Sequence, residues 1–184
     1  MLDARGNDLA EVDFPIAAQT WIGPNTVPVM DKTELEADPL VIPQDLDSIG
    51  LLTTDGGPEW GVDGQGEAIE FFDEGYQLPG DGGWYTLSVT AAQNQPLVDE
   101  LIVGVAYTDG YREVGQTSNP NVYTCFAQIA YKSGKIVRRM SNNVMVEEGK
   151  KDKAERGKAH STPLKFKWLM MSNKKYFSEV VIAP

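Results

Sequence analysis

A chain of 184 residues, 41% of them apolar and 23% charged, is long enough for one domain with appendages or two very small ones, and it holds no run of about 18 apolar residues that could span a membrane. One cysteine and one histidine exclude an internal disulfide and a Cys/His zinc cluster. The net charge of −11 speaks against gripping DNA, because affinity grows with the number of phosphates neutralised, although an acidic surface can still line a passage through which DNA slides.

That charge is unevenly spread. Residues 1–120 hold 22 acidic and three basic residues, a net of −19, and residues 121–184 hold 13 basic and five acidic ones, a net of +8. If folding sets the two kinds of segment on different surfaces, copies of the chain attract one another head to tail. The opening Met1–Gly6 lacks the basic-then-apolar layout of a signal peptide, so no leader is expected.

In chain order, residues 1–45 read as an extended N-terminal arm that packs on a neighbour or, equally, as an ordinary edge strand with loops; the arm is the expectation retained. Pro15, Pro24, Pro28, Pro39 and Pro43 each remove a backbone donor and disfavour helix just before them, with short apolar pieces between. Residues 46–184 read as the folded domain. Ile49–Thr54 is expected as a short strand, and Asp55–Gly66, rich in glycine, as a long loop in which Trp60 and Val62 need a surface to bury against. A strand over Glu67–Phe72 and a turn at Gly80–Gly83 precede the β-prone run Trp84–Thr90.

One helix is predicted after Asn94 as cap, with Pro96 in its first turn and Leu97, Val98, Leu101, Ile102 and Val105 at helical spacing. Beyond Asp109-Gly110 the chain returns to strands: Val122–Tyr131 and Lys135–Met140 around the hairpin signal Lys132-Ser133-Gly134, then Asn142–Val146. After the charged loop Gly149–His160, Leu164, Phe166, Trp168 and Met170 alternate with lysines as a strand with one buried face, and Tyr176–Ala183 closes the set. The total is about eight strands and one helix, a mainly β chain: a β-sandwich or partly closed β-barrel with one flanking helix.

Catalytic and cofactor signatures are weak throughout. Cys125 lies in an apolar run with no His or Asp beside it and reads as a buried, inert thiol. His160 reads as a solvated loop histidine. Gly64-Gln65-Gly66 lacks the third glycine of a dinucleotide loop, Ile69 standing in its place. Asp63–Glu74 has the length of a calcium loop, but Ala68 occupies the turn glycine's place and Ile69, Phe71 and Phe72 read as strand. No cofactor, metal or catalytic site is expected, and an enzyme is the least supported class.

The stretch Ile16-Ala17-Ala18 with Gly23-Pro24-Asn25-Thr26-Val27-Pro28-Val29, the piece Leu46–Gly57, the helix-and-strand region Asn94–Gly110, and the segments Val137–Met140, Val144–Val146 and Phe166–Leu169, taken in this order, resemble the major tail proteins of siphophages, especially those of actinobacterial hosts. The resemblance implies a β-sandwich-like subunit with a flanking helix that forms hexameric rings. The rings stack into the tail tube of the virion, assembled in the host cytoplasm, through which the genome passes. It implies the chain itself as principal partner, with tape measure, tail terminator and distal tail proteins beside it, transient non-specific passage of DNA, and no membrane. A rival is a sandwich-fold receptor- or carbohydrate-binding virion module using Trp21, Trp60, Trp84 and Trp168 as sugar platforms. For the tube, the expected interface residues are Trp21 of the arm, Asp55, Glu59, Trp60 and Asp63 of the glycine-rich loop, and Lys150, Lys151, Lys153, Arg156 and Lys158 of the basic loop, the two loops facing each other between subunits.

Overall fold

A computed structural model describes residues 13–64, 69–70, 77–78, 83–93, 95–115, 118–151, 153 and 160–183, with the backbone only at 55, 69, 70, 77 and 78. Ten strands and two α-helices occur among the described residues: β1 (Pro15–Pro24), α1 (Lys32–Glu36), β2 (Asp47–Ser48), β3 (Glu59–Asp63), β4 (Ile69–Glu70), β5 (Gln77–Leu78), β6 (Trp84–Ala91), α2 (Pro96–Val103), β7 (Val122–Tyr131), β8 (Ile136–Gly149), β9 (Thr162–Trp168) and β10 (Ser178–Ile182). The protein is mainly β. Eight strands form one antiparallel sheet in the order β2-β1-β7-β8-β9-β6-β3, with β10 also on β8, and the sheet does not close into a barrel.

The hairpin β7–β8 is its spine. Its turn follows the Ser133-Gly134 signal, with Gly134 at φ 93° and the Gly134 amide donating to the Tyr131 carbonyl at 3.0 Å. The two strands expected at Lys135–Met140 and Asn142–Val146 are one 14-residue strand. A register shift between Tyr123 and Cys125 absorbs the bend instead of a break. The far edge of β8 is then shared. Residues 136–140 pair with β10, and residues 144–149 pair with β9. This fork gives the sheet its sandwich-like form.

Both faces of the sheet bury apolar side chains. On one, Ile22, Cys125, Ala127, Val144, Val146, Leu164, Phe166, Trp168, Leu87 and Val89 pack with Val98 and Leu101 of α2. The expected helix is therefore present, beginning at Pro96 and ending where Gly104 takes φ 75°. On the other face Phe126, Met140 and Val180 are covered by Val27, Met30, Leu35 and Leu46.

That cover changes the expected picture of the arm. Pro15–Pro24 is a full strand paired with β7 from end to end, and residues 27–46 lie over the sheet's second face. Alternation made this possible: Thr20 and Ile22 are fully buried while the prolines fall at the ends of the strand. Asp31 and Glu34 form a capping box that starts α1, a helix the proline-rich reading did not predict.

Two other differences have local causes. The strand expected over Ile49–Thr54 does not form: the strand is Asp47–Ser48, just before that range, Gly50 at φ 89° turns the chain away, and within the range only Leu52 bridges to the sheet, opposite Ala91. Part of the loop expected over Asp55–Gly66 is β3, since Trp60 and Val62 find partners in Leu87 and Tyr85 of β6.

Candidate assembly surfaces

Of the residues expected at an interface, the two tryptophans are already engaged inside the chain. Trp21 is half-buried against Phe126, ring centroids 5.3 Å apart. Trp60 meets Trp168 edge-on at 4.9 Å and Phe177 at 6.0 Å, with the Arg139 guanidinium 4.2 Å above its ring. Trp84 carries the Lys167 ammonium 3.2 Å over its ring, and Trp168 is fully buried. Each of the four rings thus has at least one partner within the chain.

The charged residues are also placed in part within one molecule. Lys165 of β9 reaches over β6 to Asp63 of β3 at 2.7 Å and binds Glu147 of β8 at 3.0 Å. Lys151 pairs with Asp99 of α2. Glu59, Gly56, Gly57, Glu148, Lys150 and Lys165 line one groove of about 290 Å³. The acidic and basic loops therefore adjoin in the same subunit, at least along this groove, because strands distant in sequence are neighbours in the sheet. Lys153 is exposed, the Asp55 backbone lies in a single 3₁₀ turn over Thr54–Gly56, and Arg156 and Lys158 lie outside the described residues.

The Lys165 ammonium is held above its ordinary pKa, first by the hydrogen bond to Asp63 and then by the one to Glu147. A base with a raised folded-state pKa adds stability that is complete below the unfolded value, about 10.4, and is lost only as pH rises through the folded one. Carbon-detected NMR of the Lys165 side chain is accordingly expected to show a titration midpoint above that value. A midpoint at or below it would mean that the two pairs are absent in solution.

Other polar groups serve the fold. Burial pushes the Cys125 thiol far up, as its inert reading required. His160 is half-buried rather than solvated. Among the described residues no three His, Cys, Asp or Glu side chains converge on a point where a metal could sit. Asp63, the first residue of the run with the length of a calcium loop, is paired with Lys165, and most of the run's remaining residues lie outside the described ones. The buried Arg138, which holds the cover segment, had no signal in the sequence: its neighbours in the fold come from residues 35–37, a hundred positions away.

What the sheet leaves open is backbone. Among the described residues β1 has a strand partner on its outer edge only at Trp21 and Ile22, so residues 15–19 pair there on one side alone. β3 pairs only with β6 among the described residues. Unsatisfied edges of this kind invite another strand or must be covered. No protein-family model matches the sequence, and no curated protein matches it significantly.

Proposed function

We propose that the protein is a tail-tube subunit, a structural virion protein that assembles into stacked hexameric rings through which the phage genome passes. One observation carries the proposal beyond the sequence resemblance. Among the described residues an open antiparallel sheet leaves lengths of β1 and β3 unpaired, in a chain whose segments, taken in order, resemble those of siphophage major tail proteins. A heterologous contact that closes around a ring, plus a second contact along the axis that does not close, makes a tube. Its principal partner is itself, with the tape measure, tail terminator and distal tail proteins at the ends and along the lumen. The acidic balance suits a lumen that DNA must cross without sticking.

Solution mass together with negative-stain images of concentrated protein tests this directly. Rings or rods support it, and a monomer at every concentration and salt defeats it. Charge enters as a modulator. Replacing Lys150, Lys151 and Lys153 by Glu is expected to leave circular dichroism intact, because exposed ion pairs contribute about 0–1 kcal/mol each. The same triple variant is expected to shorten or abolish tubes at low salt, since a ring repeats each contact around its circumference. Tubes of normal length would remove the basic loop from the interface and leave the tail-tube reading standing.

A further inference from the structure

Two apolar features, one formed mostly by residues before α2 in the chain and one after it, have no partner among the described residues. The first is a trough of about 720 Å³ beside the unpaired edge of β1, lined among others by Ile16, Ala18, Leu51, Leu52, Ile129 and Tyr131. Ala18 and Ile129 continue the face that buries Ile22, Cys125 and Ala127 further along the same strands. The core face thus runs on past the core with none of the described residues over it, and Ile16 and Leu51 stand 67% and 68% exposed. Apolar area left open in this way marks an interaction site when it is contiguous.

The second feature is a hairpin after α2. Thr108 and Tyr111 exchange both backbone hydrogen bonds at 2.9 Å around Asp109 and Gly110, which take φ 51° and 78°. Positive φ at both central residues is the two-residue turn that best matches strand twist, so the tip is stiff. Arg112 anchors it, donating to the Asp99 and Val105 carbonyls and lying 4.2 Å over the Tyr107 ring. Tyr107, Tyr111 and Val114 are nevertheless 42%, 65% and 49% exposed. Ordered aromatic side chains held out in water on a fixed backbone are poor for a monomer and good for an anchor, because little entropy is lost when they dock.

We propose that the Thr108–Tyr111 hairpin of one copy docks into the trough between β1 and residues 50–54 of a second copy. This deepens the tail-tube reading, and rests on it, by naming the two surfaces of one heterologous contact. Charge favours the pairing. The hairpin carries Asp109 and Glu113 with Arg112, one net negative charge, and the β7–β8 turn at the end of the trough carries Lys132 and Lys135 with Asp13, one net positive charge. The hairpin does not line the trough of its own chain. In sequence the eight residues of α2 separate the hairpin from residues 50–54 of the trough. Different patches on the two partners make the contact head to tail, as rings and tubes require and a two-fold dimer does not.

The test uses full-length subunits. Ala18→Cys and Tyr111→Cys variants, mixed and treated with a short bis-maleimide, are expected to give a linked pair far above the yield of either variant alone, Cys125 being buried and unreactive. Ile16→Asp is expected to weaken association at least about tenfold with no change in the melting temperature of the free subunit. Lys132→Glu and Glu113→Lys are each expected to weaken it up to about fivefold at low salt, and to restore it when combined in one chain. Rings or rods that form without the cross-link, or that tolerate Ile16→Asp, overturn the docking and leave the tail-tube reading intact. A melting temperature lowered by Ile16→Asp means the trough is filled within its own chain, and also overturns it. A subunit that never associates defeats both.

Discussion

Trp168→Ala is expected to destabilise the subunit by about 3–5 kcal/mol and to lower its melting temperature by about 10 °C or more, read by thermal circular dichroism. Trp168 is the largest fully buried side chain, held on β9 between Tyr85 of β6 and Val144 of β8. Its ring meets Trp60 at 4.9 Å and Phe177 at 5.9 Å, so it joins the β3 edge to the chain entering β10. Truncation removes both the burial and the ring contacts, and the rigid sheet around it cannot collapse into the gap. Trp168→Phe separates size from polarity. The indole Nε1 makes no hydrogen bond among the described residues although it is buried. Phenylalanine keeps an aromatic ring against Trp60 and removes that unpaired donor, so its cost is expected to stay below about 2 kcal/mol. Alanine and wild type melting together would show that the ring is not in the core.

The elements that could be read from the sequence are those whose signal is local. Leu164, Phe166 and Trp168 are buried and alternate with half-buried lysines, and the strand ends before Met170, which is 49% exposed. Val122–Tyr131 has the expected bounds, and Pro96 opens α2. What was not legible depends on partners far away in the chain. Residues 15–24 contain two prolines and left an arm and an edge strand equally open; the choice falls to the strand because β7 presents a matching edge. β8 runs through Ser141-Asn142-Asn143 because neighbouring strands hold it extended on both sides of that segment. The Asp31–Glu34 capping box was a readable start signal for α1, overshadowed by the prolines around it.

The same limit governs the charged residues. Segregation of acids and bases along the chain suggested two separate surfaces. An antiparallel sheet brings remote segments side by side, so Asp63 reaches Lys165, and Asp99 of α2 reaches Lys151. A linear charge pattern counts residues and is blind to strand order. Trp21 and Trp60 illustrate the parallel case for apolar side chains: aromatic residues in irregular stretches looked available to a neighbour, and the fold supplies Phe126, Trp168 and Phe177 instead. The exposed apolar residues that remain, at the trough and the hairpin, carried no distinguishing pattern.

Arg138→Met is expected to cost about 3 kcal/mol and to loosen the cover over the second face of the sheet, read as a lower urea midpoint and faster proteolysis within residues 25–46. Arg138 is 4% exposed on β8. One terminal nitrogen donates to the Leu35 carbonyl at 2.6 Å and the Ala37 carbonyl at 3.0 Å, at the C-terminal end of α1, and Nε donates to Gln128 at 2.9 Å. Burial lowers its pKa and the nearby Asp38 charge raises it. Helix carbonyls at that end have no intrahelical donors, and a buried cation there also meets the negative end of the peptide dipoles. Methionine fills the space but leaves the carbonyls unpaired, at about 1–3 kcal/mol for each one that stays dry. Lysine is expected to recover less than half of the loss, because one ammonium cannot reproduce the fork to both carbonyls and Gln128. The opposing force is the cost of burying a guanidinium, which in some proteins cancels the bonds it makes. A methionine variant as stable as the parent would place Arg138 in that class. The cover would then be held by its apolar side chains on Phe126, Met140 and Val180 and by the buried bonds from the Thr124 hydroxyl to the Val27 carbonyl and from the Met30 amide to the Met140 sulfur.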